Sequence, residues 1–297
     1  MGLNAVKMLG ISITTSSKKE ILEEVRKYLS QNVRTQNSMT KKGKNPLVIV
    51  TPNPEQIVYA QRDKHFREVL NQADVVLPDG VGVVWASRFL RTQNTELNDQ
   101  TIKKVIPGVE FMEDLVAMAA GRGYPIALIG GRGGVAVEAL ECLSRRWPGL
   151  RGWAQEPGEL QLGNPGDLSD LGEKIQKTNT RLVFVGLGAP KQEYFIAALQ
   201  KALSDTRYVT SDMQDTKTRI KKSSHVSRLT SHPLVLMSVG GAFDIISGRT
   251  PRAPRAMQAV HLEWLWRLIR QPWRFQRQLA LLKFFWLVVR KKLASKG

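Results

Sequence analysis

The chain holds one cysteine in 297 residues. Cys142 therefore has no intramolecular partner for a disulfide and no companion thiolates for a structural zinc or an iron–sulfur cluster, and a reducing, intracellular compartment is expected. Histidine is scarce too. His65, His225, His232 and His261 lack any metal-ligand spacing, which argues against a metalloenzyme and leaves each as a surface or helix residue. Long apolar runs are missing as well: the longest, Leu279 to Val289, has 11 residues with Lys283 inside it, whereas crossing a bilayer takes about 20. No transmembrane helix is predicted. The first residues show neither an apolar core behind a basic start nor a small-residue cleavage pattern, and Val6 breaks the myristoylation pattern that Gly2 would open, so no secretory signal is expected. There is no G-x-S-x-G elbow and no Gly-Lys-Ser/Thr phosphate loop, which disfavours a serine hydrolase and an NTPase. With no reactive-thiol signature around it, Cys142 reads as a buried thiol in a helical pattern.

Acids are the other shortage. Against 44 Lys+Arg stand 26 Asp+Glu, a net charge of +18, on a chain whose length and 42% hydrophobic content suit one large folded domain with an appendage. The excess is local. The 49 residues from Arg249 onward hold 12 Lys+Arg and one acid, Glu263, so they carry +11 of the total and leave +7 for residues 1–248. Prolines in RTPRAPR (249–255) mark the boundary between a catalytic-type domain, 1–248, and a basic appendage, 249–297.

Within the first part, apolar runs alternate with helix-period stretches. LVIVTPN (47–53) leads into a helix through Val58–Leu70, then ADVVLPDG (73–80); PIALIGG (125–131) leads into a helix through Val135–Trp147; RLVFVGLG (181–188) leads into a helix through Gln192–Leu203; LVLMSVGG (234–241) closes the series. Continuous apolar strands separated by helices predict an α/β fold: a mostly parallel sheet with helices on both faces, Rossmann-like, plus a basic helical C-terminal appendage. Polar stretches at 31–45 and 205–232 fall outside this rhythm and read as loops or insertions, the second a mobile one.

Ligands of such sheets bind beyond the carboxyl ends of the strands. The candidates that fall there are Thr51 and Asn53 in TPN, Asp79 and Gly80 in PDG, Gly130 and Gly131 in IGGRGG, Gly188, Pro190, Lys191, Gln192 and Glu193 in GLGAPKQE, and Gly241 and Asp244 in GGAFD. A glycine-rich strand-to-helix turn lets backbone amides approach an anion at the positive end of the helix, though turn geometry alone also demands glycine. Lys191 at a helix start suits a phosphate better than it suits the helix, which gains nothing from a cation there. Asp79 reads equally as a turn acid or as a general base.

Seven segments, TPNPEQIVYAQRD (51–63), ADVVLPDGVGVVWASR (73–88), IPGVEF (106–111), ALIGGRGGVA (127–136), VFVGLGAPKQE (183–193), SVGGAFDIISGRTPRAP (238–254) and LEWLWRLIRQPWRFQR (262–277), together resemble the WecG/TagA/CpsF glycosyltransferases, glycosyltransferase family 26, in order and spacing. The resemblance implies inverting, metal-independent transfer of a hexosamine, N-acetylmannosamine or a relative, from a UDP-sugar to a polyprenyl-diphosphate-linked sugar at the cytoplasmic membrane face, with no cofactor, in teichoic acid or cell-surface polysaccharide synthesis. It assigns Asp79 as the general base, lines the site with Thr51 and Asn53, and gives the nucleotide to the GG and PKQE turns. Without a metal, the departing diphosphate would be met by amides and by cations such as Lys191, Arg249, Arg252 and Arg255. One departure stands out. The family's Glu-Arg pair before IPGVEF falls on Lys104 and Val105, with Lys103 alongside, and a lysine offers a point charge in place of a bidentate fork. A sugar-nucleotide-binding relative without turnover is the alternative this departure keeps open.

Four of the seven tryptophans lie in the appendage. There Trp264, Trp266, Trp273, Phe275, Phe284, Phe285 and Trp286 interleave with Arg267, Arg270, Arg274, Arg277, Lys283 and Arg290, a pattern suited to an anionic membrane surface. A basic nucleic-acid-binding protein would use the same residue types, but it leaves the strand-end turns without a purpose, so no nucleic acid is expected as a partner.

Overall fold

The structure, a computed structural model, describes residues 2–31, 45–90, 101–156, 168–205, 232–254, 257, 263–270 and 275–294. The Arg255 position and most of the 31–45 and 205–232 stretches lie outside the described residues. Chain order begins with an antiparallel hairpin, β1 (Ala5–Met8) and β2 (Ile11–Thr14), and helix α1 (Lys18–Leu29). A capping box starts α1: Ser17 Oγ accepts from the Glu20 amide at 3.3 Å while Glu20 Oε2 accepts from the Ser17 amide at 2.7 Å. There follow β3 (Leu47–Val50), α2 (Pro54–Ala60), α3 (Lys64–Gln72), β4 (Val75–Val76), α4 (Val81–Leu90), α5 (Gly108–Arg122), β5 (Ile126–Gly130), α6 (Val135–Arg146), β6 (Gly152–Gln155), α7 (Ser169–Lys177), β7 (Leu182–Gly186), α8 (Lys191–Asp205), β8 (Val235–Ser238) and α9 (Ala242–Ile246), then α10 (Glu263–Arg270) and α11 (Phe275–Ala294).

Six strands form one sheet in the order β4-β3-β8-β7-β5-β6, every neighbouring pair parallel. The apolar runs require this arrangement, because a strand with no polar face has to be covered on both sides. Successive residues point to opposite faces. Val48, Val50, Val183, Val185 and Leu236 pack with α2, α3, α4, α7 and α8, whereas Leu47, Ile49, Leu182, Phe184 and Val235 pack with α1, α5, α6 and α9.

Two findings alter the expected picture. The single helix through Val58–Leu70 is two helices, because Asp63 caps α3 by accepting from the Phe66 amide at 2.9 Å and ends the run that α2 began. The appendage also shares a core with the rest of the chain. Phe284 (2% exposed) and Val288 (0%) of α11 are buried against the α2–α4 side of the sheet, and Phe285 stacks on Trp85 with ring centroids 4.5 Å apart. Burying two such side chains contributes about 1.5–3 kcal/mol each. Among the described residues no helix is long and apolar enough to cross a membrane.

Candidate active site

Five strand-to-helix turns meet along the carboxyl edge of the sheet. In spatial order they follow β4 (Asp79, Gly80), β3 (Thr51, Asn53), β8 (Gly240, Gly241), β7 (Gly188 to Glu193) and β5 (Gly130, Gly131), so residues separated by up to 190 positions share one rim. Asp79 is half-buried at the end of β4, just before α4, and the Pro78 carbonyl accepts from the Ile106 amide at 3.0 Å. That bond ties the segment holding Lys104, which is exposed, to the PDG turn. Thr51 is buried: its Oγ1 donates to the Ser238 carbonyl at 3.4 Å, and Gly108 presses so close that a Cβ there would lie 3.1 Å from the threonine methyl.

Asn53 caps α2 reciprocally with Gln56. Asn53 Oδ1 accepts from the Gln56 amide and Gln56 Oε1 accepts from the Asn53 amide, both at 3.0 Å. The other end of the Gln56 side chain donates from Nε2 to Glu193 Oε1 at 3.4 Å, and Gln192 Nε2 donates to the same oxygen at 2.8 Å. Gln192 Oε1 in turn accepts from the Gly240 amide at 3.0 Å. Gln192 and Glu193 are each 1% exposed, so they lie beneath the rim, whereas Lys191 is exposed on it. Burial pushes the Glu193 carboxyl up to about 7, against the lowering effect of the hydrogen bond it accepts from Gln192. Glu193 Oε2 and Ser238 Oγ are both buried without a hydrogen-bond partner of regular geometry.

The glycine turn after β5 answers first to packing. At Gly130 (φ +117°) a Cβ would come within 2.6 Å of the Gly186 carbonyl oxygen, so β5 and β7 can lie this close only without side chains there. Its expected anion seat faces two acids: Glu156 Oε1 accepts from the Gly134 amide at the start of α6, and Glu138 takes a bidentate grip on Arg249, with Nε to Oε2 at 2.7 Å and Nη2 to Oε1 at 2.6 Å. Arg249 also donates to the carbonyls of Arg132 and Gly133. Arg252 reaches Glu110 of α5 at 2.8 Å, with Glu113 at 4.0 Å. Asp244 lies in the first turn of α9, where its carbonyl accepts from the Thr250 amide at 2.8 Å. The peptide bond before Pro190 is cis. Among the described residues, no group of three or more His, Cys, Asp or Glu is placed to hold a metal ion.

The sequence pattern of the Glycosyl transferase WecG/TagA/CpsF family matches residues 6–211 and 222–297. The chain belongs to this family. It is 29% identical over 249 residues to the N-acetylglucosaminyldiphosphoundecaprenol N-acetyl-beta-D-mannosaminyltransferase of Bacillus subtilis (strain 168), an alignment covering 84% of this chain and 81% of that protein. The protein of the same name from Staphylococcus aureus (strain MW2) is 25% identical over 287 residues, 97% of this chain and 93% of its own length. The strand-end motifs from PDG to GGAFD thus belong to a WecG/TagA/CpsF glycosyltransferase, and in it they occupy neighbouring strands.

Three groups of residues in this glycosyltransferase escaped the sequence reading. Gln56 was legible in principle, since a Gln three positions after Asn53 has capping-box spacing. Ser238 carried no signal beyond its strand. Glu110 and Glu138 meet Arg252 and Arg249 across more than 100 positions of chain, and Glu113, paired with Arg146 at 2.6 Å, also lies 4.0 Å from Arg252; no local pattern encodes these pairings.

Proposed function

We propose that the chain transfers an N-acetylmannosamine-like hexosamine, with inversion, from a UDP-sugar to a polyprenyl-diphosphate-linked sugar, as a peripheral protein of the cytoplasmic membrane surface in cell-surface polysaccharide or teichoic acid synthesis. The observation that carries this reading is the juxtaposition of the Asp79, Asn53 and PKQE turns along one edge of the sheet, after β4, β3 and, one strand further on, β7, in a chain whose relatives bear that transferase's name. Asp79 takes the proton of the acceptor hydroxyl as its oxygen attacks the anomeric carbon, the bond from that carbon to the diphosphate breaks, and UDP leaves from the opposite face. No metal ion is assigned to the step. Exposed Lys191 and Lys104 supply positive charge, and Arg249 joins them by exchanging the Glu138 carboxylate for phosphate oxygens, charge for charge. Incubation with UDP-N-acetylmannosamine and a polyprenyl-diphosphate-N-acetylglucosamine analogue is expected to release UDP only when both are present. Release from neither this donor nor a panel of other UDP-hexosamines would reject the reading.

Membrane contact is read from the outer face of α11. Leu279, Leu282, Trp286 and Leu293 recur at helical spacing opposite the buried Phe284 and Val288, are between 52% and 70% exposed, and neighbour Lys283 and Arg290. An apolar stripe beside cations suits the headgroup region of an anionic bilayer. Leu282→Ser combined with Trp286→Ser is expected to weaken binding to phosphatidylglycerol-containing vesicles at least tenfold and to leave the melting temperature unchanged, because neither side chain contributes to the core. Preferential retention on single-stranded DNA at matched salt would transfer the appendage to a nucleic-acid role.

A further inference from the structure

A single carboxyl group joins three of the five rim turns. Glu193, in the first turn of α8 after β7, accepts through one oxygen from Gln192 and from Gln56. Gln192 passes the restraint to the turn after β8 through the Gly240 amide, and Gln56 passes it to the turn after β3 through the Asn53 amide. β3, β8 and β7 are consecutive in the sheet, so these turns form the middle of the rim. Each amide side chain is used at both ends. That leaves neither free to rotate while Glu193 is in place, and among the described residues no other acceptor takes either Nε2.

We infer that Glu193 is a positioning residue of the transfer reaction: by holding Gln192 and Gln56 it fixes the β3, β7 and β8 turns relative to one another, and it touches no substrate itself. Its depth supports this role, since at 1% exposure it has no surface to offer a nucleotide or a sugar. A transferase needs this rigidity because the acceptor oxygen, the anomeric carbon and the leaving diphosphate have to line up, and small displacements of the supporting turns cost large factors in rate. The second oxygen completes the account. With its proton in place Glu193 Oε2 can donate to Ser238 Oγ, the hydroxyl beside it that otherwise lacks a partner. A glutamine at 193 presents the same acceptor and the same donor, whereas a leucine of similar bulk strands both Nε2 groups.

The kinetic part of the test rests on the donor and acceptor proposed above; amide hydrogen exchange does not. In Glu193→Leu, exchange at Gly240 and Asn53 is expected to accelerate at least tenfold while Val239, bonded to the Val185 carbonyl at 2.9 Å, keeps its protection. The same variant, corrected for folded fraction, is expected to lose at least thirtyfold in kcat with KM for the UDP-sugar within threefold, and Glu193→Gln to restore both readouts. Unchanged exchange at Gly240 and Asn53 overturns the linkage. Accelerated exchange with kcat within twofold of wild type overturns the positioning role, as does a Glu193→Gln enzyme as slow as Glu193→Leu. If Glu193→Leu does not fold, Gln56→Met cuts only the α2 arm, and the inference then demands a kcat loss of about tenfold; an unaltered kcat refutes it. Wild-type enzyme inert toward every UDP-hexosamine rejects the donor reading instead, and the exchange result then decides the linkage by itself.

Discussion

Asp79→Asn is expected to lower kcat about 10³-fold while the affinity for UDP stays within twofold. General base catalysis contributes about 10²–10⁴ in rate, and an asparagine keeps the size of the side chain but cannot accept the acceptor's proton. The turn itself should survive, because its backbone links, Leu77 amide to Val50 carbonyl at 2.8 Å and Ile106 amide to Pro78 carbonyl at 3.0 Å, do not involve the side chain. UDP binding by calorimetry beside turnover separates the two effects. A variant that turns over at the wild-type rate removes Asp79 from the mechanism, and one that loses UDP affinity in step with rate makes it a binding residue.

The second large effect is on stability. Glu193→Gln is expected to leave stability near wild type at pH 5 and to exceed it by about 3 kcal/mol at pH 8. Glu193 has its pKa raised from 4.5 to about 7 by burial. In the unfolded chain it ionises near 4.5, so between those values the native state holds a proton that the unfolded state has lost. Stability from this group is therefore fully present below pH 4.5 and is lost as pH rises to about 7, beyond which the native state carries a buried anion. The groups packed around the carboxyl give that anion little help: Gln56 comes from α2, Ser238 from β8, and Gln192 and the titratable Tyr194 from α8 itself, with no cation among them. Tyr194 donates its hydroxyl to Asp63 at 2.7 Å, and burial together with Asp63 keeps it neutral well above the range tested. Urea unfolding of both proteins at pH 5 and pH 8 isolates the difference; a gap that does not change with pH would mean that the carboxyl is solvated in the native state.

Much of the architecture could be read locally. LVIV, IALIG, LVFVG and VLMS are apolar without alternation, and only a strand covered on both faces uses such a run, so a parallel sheet followed from composition along the chain. The turns after these strands were equally visible, because glycine, proline and Asp79 interrupt the pattern where each strand ends. The break between α2 and α3 was less visible. Apolar spacing runs through it, and what divides the helix is one hydrogen bond from the Asp63 side chain, which competes with continuation on nearly equal terms.

The candidate site was legible as a set of residue types and illegible as an arrangement. Lys191, Gln192 and Glu193 are neighbours in sequence with the same polar character, yet the first is exposed and the other two are buried, because the start of α8 turns successive side chains about 100° apart and only one direction faces solvent. Arg249 carries the composition of a phosphate ligand, and its guanidinium is held by Glu138, 111 positions away. Phe284 belonged to an aromatic, basic segment suited to a membrane, and the packing of α11 on α2 and α4 takes it into the core while Trp286 stays outside.

The sequence alone determined the class of fold, the family and the residues at the strand ends, since these depend on short-range periodicity and on turn chemistry written into neighbouring positions. Tertiary structure decided which of those residues are exposed on the rim and which are buried beneath it. Burial, hydrogen-bond pairing and the ionisation of Glu193 depend on groups that chain closure brings together from β3, β7 and β8, and no local stretch of sequence contains that information.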